Sequence, residues 1–112
     1  MTARKIPDRG DAIWLSFDPQ AGREQADRRP AMVLSPASYN GKSGLMVVCP
    51  ITSRAKSYPF ESPLPDRLPM QGVVLADHLR SLDWQARRAE HICRLPEGLI
   101  DDVAAKLTAL LG

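Results

Sequence analysis

Between Gly22 and Pro30 the chain reads GREQADRRP, which places a carboxylate (Glu24), a carboxamide (Gln25) and two guanidinium groups (Arg28 and Arg29) close together. A carboxylate can take a proton, and an arginine at a strand end can hold phosphate through two parallel hydrogen bonds. Phosphoryl chemistry needs both. On composition alone the plainer reading is preferred, a solvated loop in which Glu24 and Arg29 form a weak surface ion pair.

The elements that must position this stretch are the apolar runs on either side of it, AIWLSF (Ala12 to Phe17) and AMVLS (Ala31 to Ser35). A link of roughly a dozen residues is longer than a hairpin requires, and links of that length tend to be functional or disordered. Further strands are expected at Leu45 to Thr52, Tyr58 to Ser62, Val73 to Ala76 and Glu90 to Leu95, each rich in apolar or β-branched residues. Short strands separated by turn signals suggest a small barrel or sandwich. The continuous run around Trp14 reads as a strand buried on both faces. Pro63 to Gly72, with its three prolines, reads as an irregular surface excursion. Tyr39 and Asn40 follow a Ser-Pro turn and are expected to close a surface helical turn. From Pro96 the period changes. Leu99, Ile100, Val103, Leu107, Leu110 and Leu111 form one stripe of a C-terminal helix, with Lys106 and Thr108 facing outward and Glu97, Asp101 and Asp102 near the positive end of its dipole. That stripe is read as a lid over the barrel or part of a dimer interface.

A length of 112 residues suits one domain with one core. A formal net charge of +2 is short of the strongly basic footprint of a dedicated nucleic-acid binder. No apolar run is long enough to cross a bilayer and the first dozen residues lack the apolar centre of a signal peptide, so a cytoplasmic protein without membrane association is expected. Cys49 and Cys93 lie in strand-like runs without ligand spacing, so they read as buried free thiols, and neither a metal site nor a cofactor is expected.

The run GDAIWLSFDPQAGREQADRRPAMVLSPASYN (Gly10 to Asn40) resembles the N-terminal signature of the MazF/PemK family of toxin endoribonucleases, GD(x)(V/I)W(V/L)xFDPxxGxEQxxxRPA(V/M)VLSP. The likeness continues through VVCPITSRAKSYPFE (Val47 to Glu61) and GVVLADHLRSLDW (Gly72 to Trp84) to a helix ending LLG. It implies a mainly β fold, a small SH3-like barrel of the MazF, PemK and CcdB type with an added C-terminal helix. It also implies a homodimer, and an antitoxin partner whose disordered, acidic tail lies across the RNA site.

The chemistry implied is cleavage of single-stranded RNA without a metal. The 2′-hydroxyl attacks the adjacent phosphorus, leaving a 2′,3′-cyclic phosphate and a 5′-hydroxyl. A base must take the 2′ proton, cations must hold the charged phosphorus centre, and an acid must serve the departing oxygen. His78 and His91, the two histidines, lie outside the charged loop, so a carboxylate and arginine solution is more economical. The resemblance carries over Glu24 as general base or as the group that orients one, Arg29 as phosphate-neutralising group and, through a water, candidate acid for the leaving oxygen, and Thr52, in PIT, as a hydroxyl donor to phosphate. Nothing in the spacing brings Thr52 to Arg29, and for an orphan sequence a threonine satisfying local backbone is the better reading.

Gln25 and Arg28 are candidates for substrate contact, as are Lys56 and Arg80 for tracking the RNA phosphates. Adjacent strand residues point to opposite faces, so Arg28 cannot share the direction of Arg29. Asp77 matches an aspartate that some family members pair with an arginine two residues earlier. Leu75 stands at that earlier position, so Asp77 reads as structural. Asp27 replaces a residue that is often glycine in relatives. A non-enzymatic toxin that poisons DNA gyrase through a C-terminal helix surface is the alternative on the same scaffold. A degenerate member that only binds its antitoxin is a third possibility.

Overall fold

The computed structural model describes residues 5–16 and 28–112. Seven strands and two helices follow in the order β1 (Asp11–Ser16), β2 (Arg28–Val33), α1 (Ala37–Ser43), β3 (Leu45–Thr52), β4 (Glu61–Pro63), β5 (Val73–Leu75), β6 (Arg80–Asp83), β7 (Glu90–Arg94) and α2 (Glu97–Leu111). The expected fold of β-strands with a C-terminal helix is present. Its sheet runs β4-β5-β3-β2-β1-β7 and is not closed on itself; β6 pairs with β3 off that path.

The longest strand, β3, organises the fold. It pairs with β2 along one edge, while its other edge is shared between β6, from Leu45 to Val48, and β5, at Ile51 and Thr52. The alternation of its side chains feeds two cores, one on each face of the bent sheet. On one face Ala12, Met32, Cys49 and Ile51 pack with Leu64, Met70 and Val74 beneath Leu99, Ile100 and Val103 of α2. On the other, Ile13, Leu15, Ala31, Val33, Met46 and Val48 pack against Leu82 and Trp84.

Several residues depart from the sequence-based expectation. β1 is buried on both faces except at Trp14, which stays 37% exposed opposite Pro30. The strand expected at Tyr58 to Ser62 is shifted to Glu61–Pro63, because Tyr58 and Pro59 belong to the turn that precedes it. Asn40 is wholly buried rather than at the surface. Its Nδ2 donates to the carbonyls of Pro7, at 2.7 Å, and Ser35, at 3.0 Å, and its own carbonyl accepts the Trp84 indole N–H. The apolar stripe of α2 enters the core only through Leu99, Ile100, Val103 and part of Leu107, while Leu110 and Leu111 remain exposed. Lys106 turns toward the sheet instead of outward: its ammonium donates to Ser62 and to Asp102, which also receives the Ser62 hydroxyl. These contacts hold the Asp102 carboxyl below the usual carboxylate range, the Lys106 hydrogen bond first.

The segment from Pro63 to Gly72 is irregular, as its prolines require, yet it is tied down by Leu64 and Met70 in the core. Gly72 ends it with φ +125°, in a conformation that a residue with a side chain rarely adopts. The glycine lets the segment meet the end of β3, since a Cβ there would lie 2.0 Å from the Thr52 carbonyl oxygen.

Candidate active site

The antiparallel pairing of β2 with β3 sets Ala31 against Pro50, Met32 against Cys49 and Val33 against Val48. The same register carried two residues further places Arg29 against Thr52, and directly opposed residues project from one face of a sheet. The structure accordingly gathers Arg29 and Thr52 into one open cleft of about 620 Å³, walled by Pro30, Ile51, Ser53, Arg54, Met70 and Gln71. Arg29 is exposed at the end of β2. No described residue forms an ion pair with the Arg29 or Arg54 guanidinium.

Thr52 makes a local turn: its hydroxyl oxygen accepts the Arg54 backbone N–H at 3.2 Å. The plain reading of a strand-end threonine therefore holds. It is compatible with substrate contact, because an oxygen used as acceptor keeps its own proton to donate. The same turn aims Arg54 at the cleft.

The other sequence candidates divide. Arg28 leaves by the opposite face of β2, as strand alternation requires, and its guanidinium is held 3.1 Å from both the Glu90 carboxylate and the Arg88 carbonyl. It is absent from the cleft wall. Lys56 lines a neighbouring cavity that shares Thr52 and Arg54 with the cleft. Arg80 sits on β6 opposite Val48, away from both. Glu24, Gln25 and Asp27 lie outside the described residues. Arg54, Met70 and Gln71 were missed by sequence reasoning. Arg54 carried one usable signal, its place two residues past the threonine of PIT. Nothing local marks Met70 or Gln71, which reach the cleft only because Gly72 packs against β3.

Cys49 lies beneath this region, buried against Ala76. Burial, and secondarily the nearby Asp77 charge, push its thiol up to about 12, so it is inert as a nucleophile at neutral pH. Cys93 is half-buried, and burial followed by Asp11 raises its thiol as well. Among the described residues, no group of three or more His, Cys, Asp or Glu is arranged to hold a metal ion. No helix among them is long and apolar enough to cross a membrane.

Residues 8–111 match the family described as PemK-like, MazF-like toxin of type II toxin-antitoxin system. This chain belongs to that family. It is 43% identical to the endoribonuclease toxin MazF of Escherichia coli strain K12 over 112 residues, covering all of both chains. Its fold superposes on crystalline MazF of Deinococcus radiodurans with a TM-score of 0.88 at 59% identity, over 97% of this chain and 99% of the other. A MazE–MazF complex from the same organism gives 0.89 at 57% identity, over 96% and 98%. The open sheet, the branch at β3 and the capping α2 are thus those of the MazF-like toxins.

Proposed function

We propose that this chain, an endoribonuclease toxin of the MazF-like family, cuts single-stranded mRNA sequence-selectively by attack of the RNA's own 2′-hydroxyl, without a metal ion. The observation that supports this reading is the meeting of Arg29 and Thr52, from different strands, in one open cleft that also holds Arg54. A phosphodiester there is gripped by the Arg29 fork, and the Thr52 hydroxyl donates to a non-bridging oxygen. Glu24 takes the 2′ proton as the bond from O2′ to phosphorus forms. The bond from phosphorus to the 5′ oxygen breaks, and that oxygen receives a proton from a water held by Arg29, whose hydroxide then takes back the proton that Glu24 accepted. Glu24 is five residues from Arg29, so the chain allows at most about 18 Å between their Cα atoms.

The same cations explain the partner. An antitoxin with a disordered, acidic tail competes with RNA for Arg29 and Arg54, since a polyanion and an acidic peptide seek the same charges. Relatives crystallised as MazE–MazF complexes support an antitoxin partner. The protein acts in the cytoplasm as a homodimer of one-domain subunits.

The test is incubation of the purified protein with a long RNA in chelator, with the 5′ ends of the products sequenced. Discrete fragments with 5′-hydroxyl ends are expected. Arg29→Ala should lose at least about a hundredfold in rate, the scale seen when one charge-stabilising donor is removed. Its unfolding midpoint should not move, because the side chain is exposed. Intact RNA alongside growth arrest would favour gyrase poisoning, and intact RNA without arrest a degenerate antitoxin-binding member. Undiminished cleavage by Arg29→Ala would remove that residue from the mechanism.

A further inference from the structure

Arg29 projects from a strand end that its own ladder holds on one side only. Among the described pairings β2 meets β3 from Ala31 to Val33, whereas Arg28 and Arg29 pair only with Ser16 and Leu15 of β1. Strand ends are the first to fray. What braces this one is the turn between β6 and β7. Asp83 builds that turn, its Oδ1 accepting the Gln85 and Ala86 N–H groups and its carbonyl the Arg87 N–H, while Trp84 and Ala89 root it in the second core. Arg88 sits in the left-handed region at φ +58°, a cost that a residue other than glycine bears only where its surroundings fix it. Two strand ends are tied to this turn. The Ser16 N–H donates to the Arg87 carbonyl at 2.9 Å, and the Arg87 Nη1 donates to the Ser16 carbonyl at 3.3 Å. Arg28, its side chain largely buried, reaches across β1 and sets Nη2 3.1 Å from both the Arg88 carbonyl and the Glu90 Oε1.

Adjacent residues of a strand point to opposite faces, so fixing the rotation of β2 at Arg28 fixes the direction of Arg29. We propose that Arg28 and Glu90 are positioning residues for the ribonuclease reaction, resting on the reading above: anchored to the β6–β7 turn, they hold the Arg29 fork at the phosphate without touching RNA. Arg28 is poorly placed for a phosphate of its own. It faces away from the cleft, and a carboxylate and a carbonyl already share its guanidinium. The pair adds little to stability, since Glu90 is 70% exposed and solvent screens the attraction. Its weight falls on geometry, because a catalytic group displaced by about 1 Å can lose about a hundredfold in rate.

The experiment compares steady-state cleavage of one RNA by the wild type, Arg28→Met, Glu90→Gln, the double variant and Arg28→Lys. Alongside it, binding of a 2′-O-methyl oligonucleotide, whose blocked nucleophile prevents reaction, is followed against salt. Arg28→Met breaks both contacts and should lower kcat by about ten- to a hundredfold with KM within about twofold. Glu90→Gln keeps the arginine and should lower kcat by about three- to tenfold. The double variant should fall no further than Arg28→Met, because the two side chains act as one unit. Arg28→Lys, whose ammonium can bridge the same two acceptors, should regain most of the rate. Unfolding midpoints should stay at the wild-type value. The slope of log Kd against log salt should also be unchanged in Arg28→Met, whereas a lost phosphate contact would flatten it by about 0.7. A wild-type kcat in Glu90→Gln, losses that multiply in the double variant, or a flattened salt slope in Arg28→Met with kcat intact overturns the proposal. So does an unfolding midpoint that falls together with kcat, which makes the pair a brace of the fold. Wild-type protein that leaves the RNA whole sinks the ribonuclease reading instead, and is seen before any variant is compared.

Discussion

Replacing Gly72 with alanine should damage both the fold and the cleft, and the size of the effect follows from the backbone geometry. The added Cβ would lie 2.0 Å from the Thr52 carbonyl oxygen, 2.7 Å from its carbon and 2.9 Å from the Ser53 Cα. Contacts under 3.0 Å do not occur for a Cβ, so about 1 Å of separation must open between two backbones, with no flexible side chain to absorb it. Holding alanine in a sparsely populated region at φ +125° costs about 1–3 kcal/mol. Forcing the packed segments apart costs about 1–3 kcal/mol more. Their sum, roughly 2–6 kcal/mol, is a large share of the 5–15 kcal/mol that holds a typical domain folded. Even the lower value lowers the melting temperature by about 8 °C in a domain this size. Because Thr52, Met70 and Gln71 all border the displaced contact, a 1 Å misplacement should also cost about a hundredfold in cleavage rate. Urea unfolding followed by circular dichroism, alongside the cleavage assay, measures both. The control is Gly98→Ala in the first turn of α2, where a Cβ meets nothing within 4 Å and stability should hold or rise by up to about 1 kcal/mol. If Gly72→Ala unfolds within about 0.5 kcal/mol of the wild type, the close approach at Thr52 does not build the cleft wall.

Thr52→Val should keep the strand and slow RNA cleavage by ten- to a hundredfold, about 1.4–2.7 kcal/mol, with the loss in kcat rather than KM; an equal rate would reduce Thr52 to its turn with Arg54. Asn40→Asp should destabilise by about 3–5 kcal/mol, since it sets a buried carboxylate against the carbonyls of Pro7 and Ser35; chemical unfolding tests this, and a change under 1 kcal/mol would refute the assigned donors. Cys49 keeps its proton in the folded state up to about 12, whereas the unfolded thiol ionises near 9.0. Above that lower value the unfolded chain binds fewer protons, so stability should fall as pH rises from about 9, by up to about 1.4 kcal/mol per pH unit, and Cys49→Ala should flatten that decline in pH-dependent unfolding.

The order of elements was legible because local chemistry speaks for itself. β3 carries an uninterrupted apolar and β-branched run and was read at its observed bounds, Leu45–Thr52. The helix after Pro96 shows its period over several turns. β6 was not legible: RSLD has one apolar residue, Leu82, and becomes a strand because the free edge of β3 supplies its hydrogen-bond partners. Burial was misread where one face of an apolar stretch runs past the core, at Trp14 and at Leu110 and Leu111, and where a polar side chain finds all its partners inside, at Asn40.

For the candidate site, residue types and the family signature named Arg29 and Thr52 as a pair, and strand alternation alone sent Arg28 to the opposite face, where Glu90 holds it. Their closeness was decided by tertiary structure. Arg29 and Thr52 are distant in sequence, and only the register of β2 on β3 opposes them. Arg54, Met70 and Gln71 join them through a turn and a glycine contact made by the folded chain. Side-chain chemistry is a property of single residues and survives in the linear text; a cleft is a set of distances, and distances between strands exist only once their backbones have paired.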